Sequence, residues 1–287
     1  MKLISFDPLR TLAMPGLRVV KPEHWLKERE AIQDADWVLF PEYWQVNALH
    51  YGLKARIFPN LASYHLGHDK VEMTRAFESR WPAHVPPTVI EAPTAAGQEA
   101  ALEALGLPLV VKAVRSSQGR GVRLIHSEGA LARWCETQPV LYAQLPLPID
   151  RDLRIVVLGQ RIVASYWRIA REGSFLNNVA AGGRLEFSPP PIAAVRLVRA
   201  VARGLGINHG GFDVAMVGDH PFLFEFNRLF GLDGLQALGL RMDELIYAHL
   251  ARLQTPPKPR PLAPKGRGAA LRRRRRAAQD ATTVKAG

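Results

Sequence analysis

Apolar residues along this chain gather into short runs of strand length, separated by stretches of helical period. KLISF at residues 2–6, DWVLF at 36–40 and ARIF at 55–58 are three such runs, with polar, helix-compatible segments between them. They predict a small α/β lobe with a partly parallel sheet. At His68 the character changes: Asp69 and Lys70 open an amphipathic stretch to about Arg80, with Val71, Met73, Thr74 and Phe77 at helical spacing and Pro82 beyond it. VPPTVI at 85–90 reads as a turn entering a strand. The alanine-rich segment 95–105 reads as a helix closed by Gly106.

A strand follows from Leu109 to Val114, then the glycine loop Ser116-Ser117-Gln118-Gly119-Arg120-Gly121 and a returning strand from Val122 to Ile125. A helix over about 127–136 leads to the apolar run Val140 to Gln144. From Asp152 the pattern is mostly that of strands: Arg154 to Leu158 turns at Gly159-Gln160 into Arg161 to Arg168. A helix over about 192–204 and a hairpin from Phe212 to Val217 and back from Phe222 to Asn227 come next, turning within Gly218 to Pro221. A helix over roughly 241–253 closes the pattern, and no internal repeat is visible.

The last hairpin makes the strongest chemical argument. A turn centred near Asp219 sets Asp213 opposite or nearly opposite Glu225, and side chains two apart share a face, so Asn227 joins them while Phe212, Val214, Phe224 and Phe226 take the other. Two facing carboxylates repel unless something positive lies between them. Magnesium suits such oxygen ligands; an arginine clamp or a solvated polar face are the alternatives. Lys112 is a charge within an apolar strand, costly when unpaired, and an anionic ligand would offset that cost. The glycine loop beside it lacks the Lys-Ser or Lys-Thr of a Walker loop, and its free N–H groups could either cradle phosphate or merely join two strands. Lys70, Arg154 and Arg168 are further cations. A plain two-residue turn at Gly159-Gln160 sets Arg154 and Arg168 on opposite faces, so their convergence requires a bulge or a strand end.

Composition adds limits. The 287 residues carry a formal charge of +12, but from Thr255 onward there are ten Lys or Arg against one Asp. That net of +9 leaves about +3 for residues 1–254. The tail runs through Pro256, Pro257, Pro259, Pro261 and Pro264 to five successive arginines, Arg272 to Arg276. Such a composition predicts an extended linker ending in a basic patch, suited to RNA, a ribosome or an acidic partner, or else simply solvated. Cys135 is the only cysteine, which excludes an internal disulfide and a CxxC pair. No apolar window is long enough for a membrane span, and the expectation is a cytoplasmic protein with no membrane partner.

Taken in order, these parts resemble the ATP-grasp ligases, and within them the RimK-type enzymes that add glutamate to a ribosomal protein. The resemblance covers about residues 60–250. It rests on Asp69-Lys70, Val111-Lys112, Gln118-Gly119-Arg120-Gly121-Val122, Asp152-Leu153-Arg154, Val163-Ala164, Arg168, Phe175 with Asn178, Gly182-Gly183, Gly211-Phe212-Asp213, Glu225-Phe226-Asn227 and Gly231-Leu232. It implies an α/β chain of α+β lobes in an ATP-grasp fold: a small N-terminal Rossmann-like lobe at 1–68, two lobes clasping ATP at 69–145 and 146–253, and a tail at 254–287. It further implies that Lys70 and Lys112 hold the α- and β-phosphates. Ser117, Gln118, Gly119 and Gly121 would close over the nucleotide, and backbone at Gln144 and Leu145 would meet the adenine. Arg154, Arg168 and Asn178 would act at the γ-phosphate and reacting carboxylate, and Asp213, Glu225 and Asn227 would hold two magnesium ions, with manganese as a substitute.

The implied reaction joins a carboxylate to an amine through an acyl phosphate, with glutamate addition to a peptide or protein as the leading specific expectation. A small-molecule amino-acid ligase and a non-catalytic nucleotide-binding module carried to RNA or ribosomes by the tail are the alternatives. The chain departs from the family pattern at Leu145 and Pro146 after the hinge glutamine, at Leu176, and at Arg228-Leu229-Phe230 after Asn227. These departures bear on the substrates rather than on the nucleotide.

Overall fold

The computed structural model describes residues 1–116, 121–170 and 183–253. The first sheet is built from β1 (Leu3–Ser5), β2 (Leu17–Val19), β3 (Trp37–Leu39) and β4 (Ile57–Phe58) in the order β2-β1-β3-β4. Every pairing is parallel, so the expected partly parallel sheet is wholly parallel within the described residues. The strand that the sequence pattern missed, β2, is an edge strand whose residues are half-buried to exposed, and so carries no apolar run. Helices α1 (Arg29–Asp34) and α2 (Tyr43–Asn47) connect strands of this sheet, and α3 (Leu61–Leu66) follows β4. Ile4, Val38 and Ile57 pack with Ile32, Val46 and Tyr64 from these helices.

Helix α4 (Lys70–Glu78) starts where the Asp69 carboxylate accepts the Val71 N–H at 2.8 Å, which satisfies one of the free donors of the first turn. The second sheet is antiparallel, in the order β5-β8-β6-β7, from β5 (Thr88–Glu91), β6 (Leu109–Lys112), β7 (Val122–Ile125) and β8 (Leu141–Gln144). Its helices α5 (Ala95–Leu105) and α6 (Glu128–Cys135) are capped by the Thr94 and Ser127 hydroxyls, and Gly106 ends α5 at a φ of +67°. Cys135 is buried here with Leu109, Leu131 and Leu141.

The third sheet runs β11-β10-β9-β12-β13, made of β9 (Arg151–Leu158), β10 (Arg161–Ile169), β11 (Arg184–Glu186), β12 (His209–Val217) and β13 (His220–Asn227). Helix α7 (Ile192–Gly204) covers one face, where Leu197, Val198 and Val201 meet Ile155, Phe212 and Phe226. Each such side chain contributes roughly 1.5–3 kcal/mol by leaving water. Helices α8 (Asp233–Ala237) and α9 (Met242–Arg252) join Val156, Leu158 and Phe230 on the other side, together with Leu39 and Phe58 of the first sheet. No described helix is long and apolar enough to cross a membrane.

Two irregularities in this sheet decide which side chains reach the site. Across β9 and β10 the register shifts between Ile162 and Ala164, so Val163 is an extra residue and Arg154 pairs with Tyr166 and Arg168 with Asp152. A one-residue bulge exchanges the faces of everything beyond it, so Arg154 and Arg168 fall on the same face. Across β12 and β13 the turn is two residues, Gly218 and Asp219, and a shift at Phe224 restores the pairing of Asp213 with Glu225. Phe224 is consequently displaced from the face on which Phe212, Val214 and Phe226 lie. Leu223 packs with them instead, which corrects the expected alternation at that one position.

Candidate active site

At the head of α4, Lys70 is held by its own backbone, whose N–H donates to the Val114 carbonyl at 3.2 Å. Its ammonium donates to the Ser116 carbonyl at 2.7 Å and lies 3.4 Å from the Glu225 carboxylate. Lys112 ends β6 and is buried. Its ammonium donates to Gln144 Oε1 at 2.7 Å and lies 5.1 Å from the centre of the Phe224 ring, the position that the second bulge gives that ring. Burial pushes the Lys112 ammonium down to about 8, against the pull of Glu225, while Lys70 adds repulsion. Gln144 is fixed in turn, since its Nε2 donates to Thr88 Oγ1 at 2.8 Å. Its side chain therefore orients Lys112. At the next residue, the Leu145 N–H donates to the Pro87 carbonyl at 2.9 Å.

The face of the third sheet carries a buried four-member charge network. Arg154 reaches Asp213 through both Nε and Nη2, and Arg168 Nη2 lies 3.0 Å from the same carboxylate. Arg168 also donates from Nε and Nη2 to Asp152 at 2.6 and 2.8 Å. Burial alone would raise the Asp213 carboxyl, but two guanidiniums outweigh it and hold it below its usual range. Asp152 shifts the other way despite its two short hydrogen bonds, because burial outweighs Arg168 and Asp213 repels it. Asp213 is thus the carboxylate that the two guanidiniums keep ionised.

A cavity of about 530 Å³ opens between these elements, lined by Asp69, Lys70, Arg115, Ser116, Glu225 and Asn227 among others. Asn227 Nδ2 donates to Glu225 Oε1 at 3.0 Å, leaving its amide oxygen available as a ligand. No three His, Cys, Asp or Glu among the described residues stand in a position to hold a metal. A magnesium ion needs only one or two protein carboxylates when phosphate and water supply the remaining oxygens. Glu225 and Asn227 fit that chemistry. Asp213 stands opposite Glu225 as expected, but both of its oxygens are taken by arginine, which is the clamp that the sequence left open as an alternative.

The expected residues Lys70, Lys112, Gln144, Arg154, Arg168, Asp213, Glu225 and Asn227 thus come together. Gly121 sits at the base of its loop, where a side chain would strike Ser116 and Ala113, with a Cβ only 2.4 Å from Ser116 Oγ. Ser117, Gln118, Gly119 and Asn178, and the tail with Arg272 to Arg276, lie outside the described residues. Two site residues were not singled out for a role from the sequence. Asp152 has a visible signal, being two residues before Arg154 on a strand and so on its face. Arg228 was visible only as a departure from a pattern.

A parallel lobe in front of two antiparallel sheets, with a cation-rich cleft between those sheets, defines the class as an ATP-grasp fold. Solved structures agree. The RimK domain ATP-grasp protein of Sphaerobacter thermophilus superposes with a TM-score of 0.61 at 16% identity, covering 88% of this chain and 100% of that one. D-alanine–D-alanine ligase of Bacillus anthracis gives 0.66 at 15% identity, covering 88% and 98%. The chain belongs to the RimK-like ATP-grasp family, whose model matches residues 82–250. Among curated relatives, a probable alpha-L-glutamate ligase of Stenotrophomonas maltophilia is 32% identical over 156 residues, 52% of this chain and 53% of that protein. One of Sodalis glossinidius is 33% identical over 138 residues, 46% and 47%. The chain matches about half the length of these relatives.

Proposed function

We propose that this chain is an ATP- and magnesium-dependent ligase that joins a carboxylate to an amine, with an amino acid, glutamate foremost, as one substrate and a peptide or protein as the acceptor. The observation that carries this reading is one linked set of charges beside a cavity lined by Lys70, Glu225 and Asn227: Lys70 and Asn227 both reach Glu225, Asp213 pairs with Glu225 across the hairpin, and Arg154 and Arg168 hold Asp213. The relatives named alpha-L-glutamate ligase support the substrate, and the Bacillus anthracis ligase solved with ATP supports the nucleotide.

Phosphoryl transfer asks a protein chiefly for positioning and charge neutralisation. In this reading Lys70 and Lys112 hold the nucleotide phosphates, and Gln144 keeps Lys112 aimed. Magnesium, when bound, would supply neutralisation of phosphate oxygens, and Glu225 and Asn227 are the residues that would hold it. Arg154 and Arg168 steady the γ-phosphoryl group while a substrate carboxylate oxygen attacks it. The bond from the γ-phosphorus to the bridging oxygen of ADP breaks, leaving an acyl phosphate. An amine then attacks the acyl carbon, phosphate departs with the carboxylate oxygen, and an amide remains.

The test is ADP release from magnesium-ATP with each amino acid offered singly beside a bacterial peptide and protein extract. Release that depends on one amino acid, with its mass added to an extract component, is the expected result. Equal ATP consumption by Glu225→Gln and by wild type would overturn the metal assignment.

A further inference from the structure

Among the described lysines and arginines that line the cleft cavity, Arg228 is without an ion pair to any described residue. Lys70 is engaged with Ser116 and Glu225, and Arg115 lies 3.4 Å from Asp69. Arg228, the residue directly after Asn227, also lines the cavity and makes no ion pair with any described residue. Its guanidinium lies 4.5 Å above the centre of the Tyr64 ring. That ring is a fixed platform, because Tyr64 is fully buried and its hydroxyl donates to the Pro41 carbonyl at 2.7 Å. Stacking of this kind leaves the planar edge of a guanidinium, with its forked N–H donors, free to act.

Other positive charge crowds this end of the cavity. Near Arg228, Arg10 donates to the Phe230 carbonyl at 2.9 Å and lies 3.3 Å from Asp7, yet its Nη1 is buried without a partner among the described residues. Burial holds the Arg10 guanidinium below its ordinary range, Asp7 opposes that, and Arg228 pushes it further down. His68, another lining residue, stacks on Tyr43 at 3.5 Å, and burial, Arg115 and Arg228 all lower its pKa. Like charges gathered in a half-closed site are costly until an anion enters. The phosphate-holding lysines come from α4 and β6, whereas Arg228 meets the cavity from the side of Tyr64 and His68. Arg228 is thus the lining guanidinium that an entering anion meets without first displacing a described carboxylate.

We propose that Arg228 is a specificity-determining residue that grips the side-chain carboxylate of an acidic amino-acid substrate. The inference rests on the ligase reading and narrows its substrate class. A carboxylate offers two oxygens at the spacing of the guanidinium fork, so a bidentate pair selects an acid over its amide.

The test is calorimetric binding of L-glutamate and of its neutral counterpart L-glutamine to the full chain saturated with magnesium and a non-hydrolysable ATP analogue. Wild type is expected to bind glutamate at least tenfold more tightly than glutamine. Arg228→Met should lose at least tenfold in glutamate affinity, with glutamine and nucleotide affinities held within twofold, and Arg228→Lys should recover part of the loss. Equal binding of the two amino acids by wild type, no detectable glutamate binding, or an unchanged preference in Arg228→Met overturns the proposal. A loss of nucleotide affinity in Arg228→Met also overturns it, by assigning the residue to phosphate. If Arg228→Met does not fold, Arg228→Lys decides: its fork is gone, so an unchanged preference is again contrary. Failure of wild type to bind the nucleotide would instead sink the ligase reading, a separate outcome.

Discussion

Arg154 and Asp213 face each other across β9 and β12, paired in register, and the same carboxylate is reached by Arg168 from β10. Asp213 is therefore the anchor of both arginines before any ligand arrives. Removing one member of a buried charge network leaves the others uncompensated, at a cost of about 3–5 kcal/mol. Asp213→Asn is expected to lower urea stability by that order. Glu225→Gln, at a carboxylate 22% exposed, should cost much less. Equal losses would show that the network does not stabilise the fold.

Gly211 offers a way to disturb Arg154 without touching an ionisable group. A Cβ there would come within 2.9 Å of Arg154 Cδ and Nη1 and of Phe230 Cγ. Arg154 must then give way, because the Phe230 ring is buried against the core. Gly211→Ala is expected to reduce turnover at least tenfold while nucleotide affinity stays within threefold. Wild-type turnover would mean that the position of Arg154 is unimportant.

Lys112 predicts a pH dependence for nucleotide binding. Its pKa is lowered from 10.5 to about 8 by burial, so the free protein carries the charge below about pH 8 and loses it above. Magnesium-ATP affinity should fall as pH rises through 8, by up to about tenfold per unit for one proton. The stability sign is the reverse: between 8 and 10.5 the unfolded chain binds the extra proton, so burial of this group costs less as pH rises. Fluorescence titration of a nucleotide analogue from pH 7 to 9 measures the first effect, and Lys112→Met should flatten it. A wild-type affinity constant across that range would contradict the role of Lys112.

His209 makes the fold sensitive to acid. It is fully buried among Phe40, Phe58 and Phe230, and burial followed by repulsion from Arg10 outweighs the opposing pull of the Arg228 backbone and lowers its pKa to about 3. The neutral ring is what the fold holds. Between about 6.5 and 3 the unfolded chain alone is protonated, so this contribution is lost as pH falls, by about 2 kcal/mol at pH 5. Urea midpoints at pH 7 and pH 5 should differ in wild type and converge in His209→Phe. An identical pH slope in the two proteins would exclude His209 as the source.

Much of this was legible in the residues, and where it was not, a physical reason can be given. Helices α5 and α7 stand at their expected limits because a Thr94 cap, Gly106 and Pro191 punctuate them. The strands bearing Lys112, Asp213 and Glu225 announced themselves by charge within apolar runs. The hairpin faces were a harder matter, since they depend on single extra residues at Val163 and Phe224 that no glycine marks. That uniting Arg154 with Arg168 takes a bulge or a strand end could be stated from the sequence, but which of the two occurs could not. The partner of Asp213 was equally hidden, because arginine and magnesium satisfy a carboxylate alike.

The most direct test of the account follows oxygen. If a substrate carboxylate attacks the γ-phosphorus and an amine later displaces phosphate, ligation run with the carboxylates of both the amino acid and the acceptor labelled with oxygen-18 should pass one labelled oxygen into each phosphate released with ligated product. Phosphate whose new oxygen comes only from water would mean that the cleft hydrolyses ATP without activating a carboxylate, and would contradict the proposed ligation.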